Sequence, residues 1–391
     1  MNSTTSTRVR RSIYAVFALA ATSAHAQPVL TPVPSLFSPS SMRPDGAMLA
    51  GSHFDFAIGQ QPAVWSLAGG VQVYPVPAGT TGGEILSVSN DGSIAAGFSS
   101  FHGSWGTSRA TIWQAGVPQT LGHLSGGVRS GAMGISGNGS TVVGWSDIGD
   151  SQSRAFRWTA SEGMQDLGTV GAQRNSYATA ISNDGTVIAG HTDLYGAGSP
   201  LRPFRWTADG GMQDLGLVAG GVSAYSRAVS ADGSVIIGDA TRYENGNVEY
   251  GLFRWSESLG MESLGSLGLP FAERTETSAA DVSASGDAIV GRAFDVESGA
   301  GGFGRWAAVY WNRESGLVDL NTYLPTLGLD LAGYYLYSAD AISADGSIIA
   351  GTGFAPDGTP TSWTISGIPA PGGLVVLGGG LLVTARRRRL A

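Results

Sequence analysis

Short aliphatic runs bounded by Gly, Ser and Asp recur along the chain, too brief for helices and regularly spaced. One phrase carries the pattern: Ser-x-Asp-Gly-Ser, three mostly aliphatic residues, then Gly. Full copies are Ser89–Gly97, Ser182–Gly190, Ser230–Gly238 and Ser343–Gly351, and weaker ones are Pro44–Gly51, Ser136–Gly144 and Ser283–Gly291. The turn glycines, Gly46, Gly92, Gly139, Gly185, Gly233, Gly286 and Gly346, stand 46, 47, 46, 48, 53 and 60 residues apart. A tryptophan strand follows each copy, at Trp65, Trp113, Trp158, Trp206, Trp255, Trp311 and Trp363. After six of these comes a further short strand, clearest in Gly163-Met-Gln-Asp-Leu-Gly168 and Gly211-Met-Gln-Asp-Leu-Gly216.

Asp-Gly between apolar stretches predicts a hairpin of type I′, which needs positive φ at both central residues. Each unit then has four strands: one before the Asp-Gly turn, one after it, one with the Trp, and one with Met-Gln-Asp-Leu. Four strands in a period near 47 residues match a propeller blade. The expected fold is all-β, a seven-bladed β-propeller of four-stranded blades. The seventh unit stops after its Trp strand, and Val29-Leu-Thr-Pro-Val-Pro34 matches Val71-Gln-Val-Tyr-Pro-Val76 of the first. Residues 28–36 are therefore expected to supply the missing strand, close the last blade and protect its edge. An open solenoid would not need this complementary truncation.

Composition narrows the chemistry. Of 391 residues 60 are Gly, none is Cys, and all 22 basic residues are Arg. Glycine at this density disfavours helices. Disulfides, Cys-ligated metals, thiol catalysis and every lysine-dependent mechanism are excluded.

Both ends carry targeting features. Arg8, Arg10 and Arg11, the apolar run Ile13–Ala21 and Ala24-His25-Ala26 make a signal peptide over residues 1–26, cleaved after Ala26. Thr361–Ala385 holds no charge, and Arg386, Arg387, Arg388 and Arg389 follow it. Its last 18 residues would span about 27 Å as a helix, and the arginines would keep the C-terminus in the cytoplasm. With Pro369, Ala370 and Pro371 opening it, segment 367–391 resembles the PEP-CTERM sorting signal, with Ala370 where that family usually has Glu. The resemblance implies an exosortase-type membrane protease or transpeptidase as partner; the alternative is a plain membrane anchor. Between the ends, 30 acids face 15 Arg, a charge of −15 against −8 for the whole chain. Nucleic acid is disfavoured as a partner.

Arg154-Ala-Phe-Arg-Trp158, Arg202-Pro-Phe-Arg-Trp206 and Leu252-Phe-Arg-Trp255, with the Gly-Met-Gln-Asp-Leu-Gly and Asp-Gly-Ser phrases, resemble the HAF repeats of bacterial extracellular proteins. Arg stands where that family has His. The likeness covers most of residues 80–365 of the repeat domain, 27–366, and implies an exported repeat protein.

Candidate chemistry is sparse. The Asp-Gly phrases lack the alternating carboxylates and twelfth-position Glu of an EF-hand, and their spacing is not that of an Asp-box. No cofactor is expected, and no motif supports Ca²⁺. Gly299–Gly304 matches G-x-G-x-x-G but opens no helix. His53, His102, His123 and His191 are scattered over four units. Variable connections on a rigid frame are where recognition usually sits. The larger ones between second and third strands are Gly97–Arg109, Asp239–Gly251 and Arg292–Arg305. That face is expected to display Trp105, Trp145, Asp147, Asp150, Asp193, Tyr195, Arg242, Tyr243, Glu244, Tyr250, Asp295 and Glu297, with Tyr334 and Tyr335. Aromatics beside carboxylates suit a saccharide or a protein. The expectation is an exported, surface or matrix module, non-enzymatic, binding an extracellular polysaccharide or protein. A propeller-borne polysaccharide hydrolase or lyase and a structural matrix component are the alternatives.

Overall fold

The computed structural model describes residues 27–34, 36–100, 106, 108–194, 200–244, 247–267, 276–295 and 305–369. Ala24, Ala26, Ala370, Pro371 and Arg386–Arg389 lie outside them, as do Trp105, Tyr195 and Glu297 and the side chains of Glu244 and Asp295. Strand β1 (Val29–Val33) leads into repeat 1, β2 (Phe37–Met42), β3 (Leu49–Asp55), β4 (Gly59–Ser66) and β5 (Gly70–Val73). Repeat 2 is β6 (Gly82–Val88), β7 (Ile94–Ser100), β8 (Arg109–Gln114) and β9 (Val117–Gly122). Repeat 3 is β10 (Ser130–Ile135), β11 (Thr141–Gly149), β12 (Gln152–Thr159) and β13 (Gly163–Asp166). Repeat 4 is β14 (Asn175–Ile181), β15 (Ile188–Asp193), β16 (Arg202–Thr207) and β17 (Gly211–Asp214). Repeat 5 is β18 (Gly221–Val229), β19 (Val235–Glu244), β20 (Asn247–Ser256) and β21 (Gly260–Gly265). Repeat 6 is β22 (Glu276–Val282), β23 (Ala288–Asp295), β24 (Arg305–Asn312) and β25 (Gly316–Asp319). After helix α1 (Leu320–Thr326), repeat 7 is β26 (Tyr335–Ile342), β27 (Ile348–Phe354) and β28 (Pro360–Ser366).

Every repeat is an antiparallel meander. Five sheets have four strands, and one parallel bridge, Tyr250 to Glu276, joins repeats 5 and 6 into an eight-stranded sheet. β1 takes the fourth place beside β28, Val29 opposite Ser366 and Val33 opposite Ser362. The first strands touch in a closed circuit, β2 to β6 and on through β10, β14, β18, β22 and β26 back to β2. The sheets thus stand around a common axis as a β-propeller.

Hydrophobic clusters fill the seams between repeats. Trp113 is fully buried with Ala50 and Val64 of repeat 1 against Ile85 and Val88 of repeat 2, and its indole N–H donates to Pro75 O (2.8 Å). Trp363 is likewise buried among residues of repeats 6 and 7, while Trp158, Trp206 and Trp255 are partly buried in the seams they flank.

The recurring phrase builds its own turn. Ser89 Oγ donates to Asp91 Oδ1 (2.7 Å) and accepts the Ile94 amide (3.1 Å), while Asp91 Oδ1 accepts the Ser93 amide (2.9 Å). The same bonds recur around Ser182, Ser230 and Ser343. Only the glycine takes positive φ, +73° at Gly92, and its amide donates to Ser89 O (2.9 Å). The hairpins are therefore not type I′. The Asp keeps a negative φ while its carboxylate caps the amide two residues on, and the glycine alone takes the left-handed conformation.

Neighbouring turns are stitched together beside the axis. The amide of Asn90 donates to Gly137 O (2.8 Å), Gly137 to Asn183 O (2.8 Å) and Asn183 to Ala231 O (2.9 Å). The series continues from Ala231 to Ala284 O (3.0 Å), Ala284 to Ala344 O (2.9 Å) and Ala344 to Pro44 O (2.9 Å). Pro44 has no N–H, so the circle has one open link, at Asn90. Ser366 pairs with Ile348 beside this turn face, and Val29 lies opposite Ser366, so both ends of the described ring leave on that face.

Candidate functional site

In every first strand the pairing register slips by one residue, leaving a bulged position facing the axis: Ser40, Leu86, Met133, Thr179, Arg227, Ala280 and Asp340. All seven line an axial cavity of about 330 Å³, continuous through Ser40, Leu86, Met133, Thr179 and Arg227 with a smaller one of about 160 Å³. The bulge brings the preceding carbonyl against the second strand. A Cβ on Gly97 would lie 1.9 Å from Glu84 O, on Gly144 2.0 Å from Gly131 O and on Gly351 1.9 Å from Ser338 O. This close approach explains the glycine that ends each phrase.

One residue beyond that glycine, and at the first-strand position paired with it, a belt of side chains surrounds the axial mouth. Trp145 and Tyr177 have ring centroids 6.5 Å apart, Tyr177 stacks on His191 (5.1 Å), and His191 meets Tyr225 edge-on (5.6 Å). All four are partly exposed. The Arg227 guanidinium covers Tyr225 at 4.5 Å and pairs with Asp239 (3.1 Å). Asp239 also accepts Ser278 Oγ (2.9 Å) and the Ala279 amide (2.7 Å). Arg292 lies over Trp306 at 4.5 Å. Burial lowers the His191 pKa to about 4, with Asp193 opposing, so the ring is neutral at pH 7; its Nδ1 is buried without a partner.

Two carboxyls beside the axis are held above their usual range. Burial raises Asp340 to about 6 against a Ser338 hydrogen bond and the charge of Arg292. It raises Asp281 to about 6 against the amides of Ile342 and Val282, which occupy both of its oxygens. Glu84 is also raised, by burial first, while Ser40 (2.6 Å) and Gln60 (3.0 Å) donate to it. Among the described residues no group of three or more His, Asp or Glu is arranged to hold a metal ion.

The residues expected on the loop face fall into separate places. Trp145 stands in β11 and joins the aromatic belt. Asp147, also in β11, is buried and accepts the Val128 and Arg129 amides (both 2.7 Å) and Arg129 Nε (3.0 Å). Burial opposes its ionisation, but these bonds outweigh it and lower its pKa, so it clamps the connection into β10. Arg242, Tyr243 and Glu244 are strand residues, because β19 and β20 pair out to Glu244 and Asn247 and shorten the expected 239–251 loop to a tight hairpin. Arg242 pairs with Glu249, and Tyr243 is exposed. Asp295 ends β23. Tyr334 precedes β26, and Tyr335 donates to Trp306 O (2.9 Å) beneath Arg305 (3.6 Å from its ring). Pro369 is the last described residue, and no helix among the described residues is long and apolar enough to cross a membrane. Tyr177, His191, Tyr225, Arg227 and Asp340 were not marked by any motif. The signal that finds them is three columns of the repeat alignment, five and three residues before the phrase's opening Ser and next to its closing Gly.

No protein-family model and no curated protein sequence matches the chain. Among solved structures it is similar to TolB from Acinetobacter baumannii, with 13% identity over 73% of this chain and 64% of that one and a TM-score of 0.46. It is also similar to a putative TolB from Agrobacterium tumefaciens (14% identity, 85% and 90% covered, TM-score 0.39). A third likeness is to a prolyl endopeptidase (10% identity, 84% and 46% covered, TM-score 0.52), so the chain spans about half of that protein. At these identities the likeness concerns the fold alone.

Proposed function

We propose that the chain is a seven-bladed propeller acting as an exported, non-enzymatic binding module for an extracellular polymer, a polysaccharide above all, gripped at the axial mouth. In this reading the eight-stranded sheet counts as two blades, the repeats are of the HAF type, and the C-terminal segment is a PEP-CTERM-like signal read by an exosortase-type enzyme. The observation that carries the binding role is a contrast inside one chain. The turn glycine and the closing glycine of the phrase recur in all seven repeats, whereas the axial column holds seven different side chains in seven repeats. A ring serving only as a frame has no need of such variety. Half-exposed aromatic faces beside Arg227 and Asp340 offer stacking and hydrogen bonds together, the combination a sugar ring uses. Because both ends leave on the turn face, a C-terminal attachment would turn this mouth outward. The hydrolase reading needs two available carboxyls at one cavity. Asp340 faces it, but Asp281 has both oxygens occupied by amides, which favours binding.

The test is a glycan and matrix-polymer array probed with the exported protein and with Trp145→Ala, Tyr225→Ala and Tyr243→Ala. The first two should each weaken the bound signal at least about tenfold, as expected for losing one stacked aromatic, with Tyr243→Ala close to wild type. Binding that survives both axial changes would refute the assignment.

A further inference from the structure

On the turn face, away from the axial mouth, repeats 4, 5 and 6 enclose a groove of about 530 Å³ lined by Arg205, Arg254, Arg313, Trp255, Glu257 and Ser285, among others. Arg205 differs from its counterparts in the neighbouring repeats. An arginine precedes the Trp in repeats 3, 4 and 5. Arg157 reaches Glu162 (2.7 Å), and Arg254 reaches Glu262, its cross-strand neighbour (3.3 Å). In repeat 4 the corresponding places hold Gly210 and Gln213, the latter opposite Arg205 in the same register. Both acids are gone and the arginine remains. Arg205 is half-buried, and it makes no ion pair or side-chain hydrogen bond with any described residue. The same holds for the exposed Arg313.

The other charges of the groove are largely committed. Arg254 is balanced by Glu262 and, at 4.0 Å, Asp287. Asp232 is turned into its own hairpin by Ser230 and Ser234. Two uncommitted guanidiniums therefore face one rim carboxylate, Glu257, in a domain with two acids for every arginine. A half-buried guanidinium without a counter-ion loses hydration and recovers nothing, unless an anion supplies the missing bonds.

We infer that this groove is a phosphate-binding site, in which Arg205 and Arg313 supply the charge and Ser285 a hydroxyl. The phosphate comes either from a lipid headgroup, which the position of both chain ends on this face favours, or from solution. The site is independent of the polymer-binding mouth, and each can fail alone.

The test titrates the full chain with inorganic phosphate by calorimetry and measures sedimentation with phosphatidylglycerol and with phosphatidylcholine vesicles. The readout is the excess of the first lipid over the second. All lipid measurements are made on the full chain with Arg386–Arg389 changed to Gln, because that cluster by itself would favour phosphatidylglycerol over phosphatidylcholine. Gln213→Glu supplies the acid found in repeat 5 at almost no change of shape, and Arg205→Gln removes the charge. Gln165→Glu makes the same exchange in repeat 3, where Arg157 is already paired. Phosphate affinity or the phosphatidylglycerol excess should fall at least about tenfold in the first two variants and stay unchanged in Gln165→Glu, with urea midpoints verifying the fold. An effect with free phosphate identifies a soluble source, and a vesicle excess alone that Gln213→Glu removes identifies the headgroup. The inference is overturned if wild type shows neither, or if Gln213→Glu binds within about twofold of wild type.

Discussion

Gly144 and Gly211 are glycines for different reasons, and the difference is measurable. A Cβ at Gly144 would sit 2.0 Å from Gly131 O, a backbone atom that the bulge holds in place, whereas Gly211 has φ +61° and open space around it. Gly211→Ala should therefore cost about 1–2 kcal/mol of left-handed strain. Gly144→Ala, which must push two strands apart, should cost more than about 3 kcal/mol in urea unfolding. Asp340 supplies a second test. Its folded pKa of about 6 lies above that of an unfolded Asp, so the folded chain keeps the proton longer as pH rises. Its contribution to stability is intact below about pH 4, declines between about 4 and 6, and is absent above that. Asp340→Asn should accordingly raise the melting temperature at pH 7 and match wild type near pH 4; a gain that does not change with pH would contradict this. The closing glycine was legible in the sequence as a recurrence, but its cause was not, because the carbonyl it makes room for lies in another strand. Arg227 and Asp340 were hidden for the complementary reason: bulged residues belong to no repeated phrase, and only their lack of agreement among repeats marks them.

At the level of elements, the four-strand meander and the Trp strand were readable because they follow from local periodicity and turn chemistry. The turn type was not, since Asp-Gly serves both a two-residue hairpin and a longer turn in which the Asp caps an amide. What selects the longer turn is the Ser two residues before the Asp, whose hydroxyl closes the loop from the inside. The long β19–β20 hairpin was missed similarly: Arg242-Tyr-Glu-Asn-Gly-Asn-Val-Glu-Tyr250 is polar enough to read as a loop, yet Arg242 and Glu249 stand opposite each other and hold it as a ribbon. The stitching of adjacent turns yields a direct test, because Pro44 shows that proline is accepted at its position. Ala231→Pro should leave the turn intact while deleting one amide-to-carbonyl bond, to Ala284 O. The loss of that bond should outweigh the stiffer backbone, and the unfolding free energy should drop by about 1 kcal/mol. Hydrogen exchange should quicken at Ala284 and Gly286, and not at Gly139 across the ring.

For the whole molecule, closure depends on β1. It is separated from β28 by nearly the entire chain, so its pairing closes the largest loop in the protein and is worth little until all other repeats are in place. Once made, it covers the edge of β28, buries Val33 beside Phe37 and Trp65, and packs Leu30 against the cluster around Trp363. Removing residues 27–34 should thus do more than delete five paired residues: it leaves β28 as an open edge at the seam where repeat 7 meets repeat 1. The truncated protein should unfold at lower urea concentration with its transition broadened, since repeat 7 can now open alone. It should also self-associate through the bare edge in a concentration-dependent way. A synthetic peptide of residues 27–36 added in trans should restore the midpoint and suppress association, whereas a peptide with Leu30 and Val33 both changed to Asp should not. If the truncation is silent, or if the altered peptide rescues equally well, the ring is held by its seams alone and β1 is only an appendage.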